Sequence, residues 1–286
     1  MEGIININKP SGITSFDVIR ILRKLLKEKR IGHTGTLDPL AQGVLIVCVG
    51  KATKLVQDIE GYSKVYLAGF ELGYQTDTYD IEGNTINTSD KNTVSIDELE
   101  IVTKKFVGDI EQIPPMYSAL KVNGQKLYEL ARQGIEIERK ARAITIDFLE
   151  IVNFDGKKGI IRCGVSKGTY IRSLINDIGE ALGTFATMTS LVRESVGDIK
   201  LENAVSLDKI ESCCNNEDYS FLVSVENFFE YPKLTLNNEK DLKLFLNGNT
   251  VRFTTSDGKY RVYNNEDSFL GLAIVGNNLL KGYKFF

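Results

Sequence analysis

Apolar and polar positions divide the chain into strands, helices and turns. Residues 3–7, Gly3-Ile4-Ile5-Asn6-Ile7, read as a strand, and Lys9-Pro10-Ser11-Gly12 behind them is turn chemistry. Thr14 or Ser15 can cap a helix whose apolar stripe is Val18, Leu22 and Leu25, with Ile19 and Leu26 beside it. That helix is expected to end near Lys29. Residues 32–43 form a glycine-rich loop, and the unbroken apolar run 44–49 predicts a buried strand. Residues 64–72 predict another strand, which runs into the polar loop 76–83. A helix is expected over 95–106. Residues 143–154 and 159–166 pattern as paired strands around Asp155-Gly156, and a helix follows over about 170–182. More strand and a short helix carry the chain to about 215.

Two stretches break this rhythm. Residues 113–142 open on Pro114-Pro115 and stay basic and polar, and a long excursion of this kind in a compact domain is often functional. From Tyr231 the texture changes. A helix near 238–246 precedes short strands with turn signals at Asn247-Gly248, Asp257-Gly258, Asn264-Asn265 and Asn277-Asn278. The pattern predicts a larger domain over 1–230 and a small β-rich domain over 231–286. There are no internal repeats.

Composition narrows the class. The chain has 286 residues, 42% hydrophobic and 26% charged, as in an ordinary globular protein rather than a disordered one. The N-terminus lacks the basic-then-apolar layout of a signal peptide, and no run is long enough to span a bilayer. Cys48, Cys163, Cys213 and Cys214 form no C-x-x-C pair, which points to a reducing compartment, the cytoplasm. His33 is the sole histidine, so a zinc or transition-metal site is not expected. The net charge is −3, yet it is unevenly spread. Arg20, Arg23, Lys24, Lys27, Lys29 and Arg30 cluster against Glu28, while residues 202–230 are strongly acidic. Such polarity can hold a polyanion on one face despite an acidic total, although charge runs are commonly just solvated helix faces.

The glycine-rich loop contains Asp38-Pro39. In isolation that pair is a good helix start, with Asp as N-cap and Pro at the first helical position. Gly50-Lys51 has the look of a P-loop ending, but Ala52 follows and the glycine spacing is wrong. Gly32-His33-Thr34-Gly35 is a GxxG, too short to imply a KH fold.

Four segments occur in a telling order. They are Gly32-His33-Thr34-Gly35-Thr36-Leu37-Asp38-Pro39-Leu40-Ala41-Gln42-Gly43 and Gly73-Tyr74-Gln75-Thr76-Asp77-Thr78-Tyr79-Asp80-Ile81-Glu82-Gly83. Pro114-Pro115-Met116-Tyr117-Ser118-Ala119-Leu120-Lys121 follows, and then Ser166-Lys167-Gly168-Thr169-Tyr170-Ile171-Arg172. With Asn8-Lys9-Pro10-Ser11-Gly12 and Leu191-Val192-Arg193, the sequence resembles the bacterial TruB family of tRNA pseudouridine-55 synthases over about residues 3–210. Thr36 stands where that family commonly has Ala.

The resemblance implies an α+β fold: a mixed, largely antiparallel sheet flanked by helices, a thumb insertion at about 113–142 and a PUA-like C-terminal domain. It implies that Asp38 is the nucleophile and that Arg172 pairs with it. Tyr66 would stack on the target base, Tyr170 and Leu191 would line its pocket, and His33 would sit at the flipped nucleotide. The substrate would be the T arm of tRNA, bound by a monomer without guide RNA. Two alternatives share the scaffold, a non-catalytic RNA-binding protein and a guide-RNA-dependent relative of dyskerin. The thumb-like segment favours the stand-alone enzyme.

These residue types suit the reaction. Making pseudouridine is an isomerisation with no net redox change, so no nicotinamide or flavin is expected, in line with the missing dinucleotide fingerprint. A carboxylate can act as a covalent nucleophile and then leave. A nearby guanidinium keeps it charged in a site dry enough to raise its pKa. A base inside folded RNA must be flipped out to be reached, and an aromatic face can hold it by stacking, worth about 1–3 kcal/mol. Attack at C6 of the base, attack at C1′ of the ribose and elimination to a glycal-like intermediate all remain open.

Overall fold

The computed structural model describes residues 1–122 and 124–286. Strand β1 (Gly3–Lys9) leads to helix α1 (Ser15–Leu26). Thr14 caps that helix through a box: its hydroxyl accepts from Asp17 N, and the Asp17 carboxylate accepts from Thr14 N. Val18, Ile19, Leu22 and Leu26 are its buried face. The helix stops at Leu26, short of the expected Lys29, because Lys27 turns left-handed at φ 50°. Strand β2 (Ile31–His33) pairs with β3 (Gln42–Val49), so the glycine-rich segment is a loop only over 34–41. No helix starts at Asp38; Ala41 N donates to its backbone carbonyl in a single turn before β3 begins.

Helix α2 (Val56–Glu60) and strand β4 (Lys64–Leu72) follow, then a ribbon of β5 (Tyr74–Thr76) and β6 (Thr85–Thr88). Helix α3 (Ile96–Thr103) is extended by a 3₁₀ turn to Phe106, and β7 (Gly108–Gln112) comes next. The basic excursion holds a second ribbon, β8 (Lys121–Val122) with β9 (Gln125–Lys126), and the short helix α4 (Leu127–Ala131). Strands β10 (Arg142–Phe154) and β11 (Lys158–Val165) form the expected antiparallel pair. Arg142 already faces Gln112 across the β7–β10 ladder, so the excursion is an insertion of residues 113–141 between neighbouring strands.

Helix α5 (Ile171–Leu182) ends at left-handed Gly183, and β12 (Ala186–Val196) returns into the sheet with the short β13 (Ile199–Lys200). The main sheet runs β1-β3-β12-β4-β11-β10-β7, with β2 added to β3 and β13 to β12. Every pairing is antiparallel except β3 with β12, which touch at Val192–Gln42 and Arg193–Gly43. Gly43 is required there: its φ is +107°, and a Cβ would lie 2.3 Å from the Arg193 carbonyl oxygen. The fold is thus α+β with a mixed, largely antiparallel sheet. One core lies between the sheet and α3 and α5, and a second lies under α1 and α6 (Leu207–Asn215).

After α7 (Val225–Phe228), β14 (Lys233–Leu236), α8 (Glu239–Leu246), β15 (Val251–Arg252), β16 (Gly258–Asn264), β17 (Phe269–Gly276) and β18 (Leu279–Phe285) build a separate five-stranded sheet. It has its own core around Phe245 and Val262. Leu272 also joins Ile4, Val44, Ile46 and Phe229, so the two sheets share a packed boundary. Among the described residues no helix is long and apolar enough to cross a membrane.

Candidate active site

The loop that carries Asp38 is held by the N-terminal turn. Lys9 is fully buried, and its ammonium donates to the carbonyls of Ala41 (2.6 Å), Pro10 (2.9 Å) and Pro39 (3.4 Å). Burial pushes that ammonium down to about 8, against the opposing pull of the Asp38 charge. Ser11 Oγ donates to Leu40 O (2.8 Å) and Gly12 N to Pro39 O (2.8 Å). Ser15 Oγ accepts from Leu37 N (2.9 Å) and donates to Leu37 O (3.1 Å). These bonds draw residues 39–41 straight into β3, which is why Asp38 caps no helix.

The Asp38 side chain keeps 34% of its surface exposed, while that of Arg172, the second residue of α5, keeps 5%. Arg172 Nε lies 2.9 Å from Asp38 Oδ2 and Nη2 lies 3.1 Å from Oδ1, a two-pronged pair. The same guanidinium donates from Nη1 to Thr78 O (3.0 Å) and from Nη2 to Tyr117 O (2.9 Å). Its Nε is also 3.6 Å from Asp80 Oδ2. All four sequence segments therefore meet at one side chain. Asp80 is itself buried, and it accepts from Thr78 Oγ1 (2.7 Å) and Glu82 N (3.0 Å). Burial pushes its carboxyl up, and the Thr78 hydroxyl and Arg172 pull it back.

Tyr66 on β4 and Leu191 on β12 are buried in the same cluster as Leu37, beside the Asp38 loop. Arg193 is 2% exposed; its Nε donates to Val44 O (2.7 Å), Nη2 to Gly35 O (3.2 Å) and Nη1 to the Tyr66 hydroxyl (3.5 Å). It locks the glycine loop to the sheet. Tyr170 caps α5, and its backbone is clamped by Gln112, whose Oε1 accepts from Tyr170 N (2.8 Å) and whose Nε2 donates to Tyr170 O (3.1 Å). His33 stands apart. Its Nδ1 accepts weakly from Gly35 N (3.4 Å), and among the described residues it bonds neither Asp38 nor Arg172. Burial, and then the Arg193 charge, hold its pKa down. Lys9, Asp80 and Arg193 received no role from sequence. Their only signal was that each lies inside a motif segment.

Residues 23–171 match the family model described as TruB family pseudouridylate synthase (N terminal domain). Residues 172–227 match the one described as tRNA pseudouridylate synthase B C-terminal domain. The chain belongs to the TruB family. The boundary between the two TruB segments falls inside α5, so both contribute to one sheet and one site. A relative from Fusobacterium nucleatum subsp. nucleatum, named tRNA pseudouridine synthase B, is 57% identical over the full length of both chains. One of the same name from Clostridium kluyveri is 44% identical, again over all of both chains. Among solved structures, a Cbf5-Nop10-Gar1 complex matches at TM-score 0.72 and 26% identity, covering 99% of this chain and 84% of that one. An H/ACA RNP bound to a substrate RNA containing 2′-deoxyuridine matches at TM-score 0.71 with the same coverage; at 24% identity it shows a shared fold alone. In this TruB chain the Asp38–Arg172 pair thus sits at the centre of a pseudouridine synthase fold.

Proposed function

We propose that the chain is a tRNA pseudouridine synthase that isomerises uridine 55 in the T loop, with Asp38 as nucleophile. The observation that carries this reading is the two-pronged Arg172–Asp38 pair, set in a site that four motifs build together. The reaction breaks the bond from C1′ to N1 of the uracil and makes one from C1′ to C5. The C5 proton leaves and N1 gains one, so the atoms balance without a redox partner.

Arg172 holds Asp38 aimed at the reacting nucleotide, and Asp80 with the Thr78 and Tyr117 carbonyls holds Arg172. Lys9 and Arg193 keep the loop rigid, which preserves a near-attack distance. Tyr66 stacks on the flipped uracil, Tyr170 and Leu191 line the pocket, and His33 sits at the flipped nucleotide. Residues 113–141 act as a thumb over the T loop and retain the free base while it turns. Residues 231–286 are a PUA-like RNA-binding domain that extends the contact along the tRNA. The enzyme works as a monomer on bare tRNA, without guide RNA. The relatives at 44% and 57% identity bear the name tRNA pseudouridine synthase B, whereas the Cbf5-Nop10-Gar1 complex lies at 26%.

The test is to incubate the purified protein with unmodified tRNA and map pseudouridine by carbodiimide-based primer extension. Modification at the T-loop uridine, with no added protein or RNA, is expected. Modification elsewhere, or dependence on an added guide, overturns the reading.

A further inference from the structure

Inside the 113–141 insertion one buried hydroxyl makes no well-formed hydrogen bond. Ser118 is 5% exposed, and its Oγ is shut off from solvent without a hydrogen-bond partner among the described residues. A buried hydroxyl left unsatisfied costs free energy, so such a group calls for a functional or structural reason, and a contact formed in another state of the protein is one. Its backbone is fixed on both sides: Ser118 N donates to Met116 O (2.9 Å) and Ser118 O accepts from Tyr128 N (3.1 Å). Only rotation about its own side-chain bond is left. The preceding residue ties this spot to the reacting centre, since Tyr117 O accepts a hydrogen bond from Arg172 Nη2 at 2.9 Å. The Tyr170 phenol lies beside the Ser118 hydroxyl: burial pushes that phenol up and the hydroxyl pulls it back, yet the two make no well-formed hydrogen bond. The Tyr170 backbone is clamped by Gln112 through two hydrogen bonds, whereas among the described residues no well-formed hydrogen bond fixes its phenol.

We propose that Ser118 is a positioning residue. When RNA fills the cleft, its hydroxyl closes a hydrogen bond with the Tyr170 phenol and fixes that ring against the flipped nucleotide. The bond links the thumb insertion to the pocket wall and makes closure of one depend on the placement of the other. This inference rests on the pseudouridine synthase reading above.

The test measures single-turnover conversion of unmodified tRNA, and tRNA affinity separately, for wild type, Ser118→Ala, Ser118→Thr, Tyr170→Phe and the Ser118→Ala/Tyr170→Phe double variant. Removing either hydroxyl is expected to slow conversion by about tenfold, as loss of one transition-state hydrogen bond does. Affinity should stay within about twofold, the double variant should be no slower than either single one, and Ser118→Thr should restore the rate. Losses that multiply in the double variant overturn the inference, as does a wild-type rate for Ser118→Ala. Weaker binding at an unchanged rate also overturns it, and assigns Ser118 to direct RNA contact. A wild type that makes no pseudouridine overturns the functional reading itself and this inference with it.

Discussion

Asp38 means little as an isolated residue. Beside proline it has the form of a helix cap, and only its partners give it another use. Those partners are specific: two nitrogens of one guanidinium, within 2.9 and 3.1 Å of its two oxygens. Asp38→Asn keeps the shape and loses the charge, so tRNA binding should persist while pseudouridine formation stops. Measurable product from that variant removes Asp38 as nucleophile. Arg172→Lys should cut the rate by at least about a hundredfold, because an ammonium cannot reproduce a planar fork that serves two carboxylates and two carbonyls; steady-state rates on tRNA check this. Asp177, on the same helix, bears on stability. Burial, reinforced by Glu180, raises its pKa from 3.8 to about 6. A raised value means the neutral form favours folding, fully so below 3.8, and that this contribution is lost as pH rises through about 6. Asp177→Asn should therefore melt at higher temperature than wild type at pH 8, by the equivalent of about 2–3 kcal/mol, with the two curves converging near pH 4. Equal melting temperatures at pH 8 would contradict it.

At the scale of elements, legibility followed length. β4 over Lys64–Leu72, the β10–β11 pair and α5 are long enough for their periods to stand out, and each lies where the pattern put it. The two- and three-residue strands β2, β5, β8 and β9 carry no period: β2 adds to β3 of the main sheet, β5 pairs with β6 and β8 with β9 in ribbons of their own. The length of α1 was overestimated because the basic residues after Leu26 are good helix formers, and only the left-handed turn at Lys27 stops them. Its start was readable, since Thr14 and Asp17 form a reciprocal cap. Thr14→Ala removes that cap and should cost about 1 kcal/mol in urea unfolding, with the slope unchanged. An unchanged midpoint would show that Ser15, bonded to Leu37, holds the helix start alone.

At the scale of the molecule, the acidic total hides a basic cluster over residues 20–30 and a mildly basic insertion. If these face the RNA backbone, affinity for tRNA should fall by about a hundredfold or more between about 50 and 200 mM salt. A flat salt dependence in filter binding would exclude that role. The C-terminal sheet is not loosely tethered. Leu272 shares a core with β1 and β3, Lys284 pairs with Asp58 at 3.1 Å, and Lys54 Nζ donates to Phe285 O at 2.9 Å. Sequence by itself determined the strands and helices with clear periods, the family, and the glycine loop that bears Asp38. These are local patterns, or long motifs read in order. The resemblance already implied that Arg172, 134 residues beyond Asp38, pairs with it; tertiary structure alone decided that the same guanidinium also meets Asp80 and the Tyr117 carbonyl. It alone showed that Lys9 and Arg193 brace the loop from below. Their partners are chiefly backbone carbonyls, which every residue has, so no side-chain pattern could announce them.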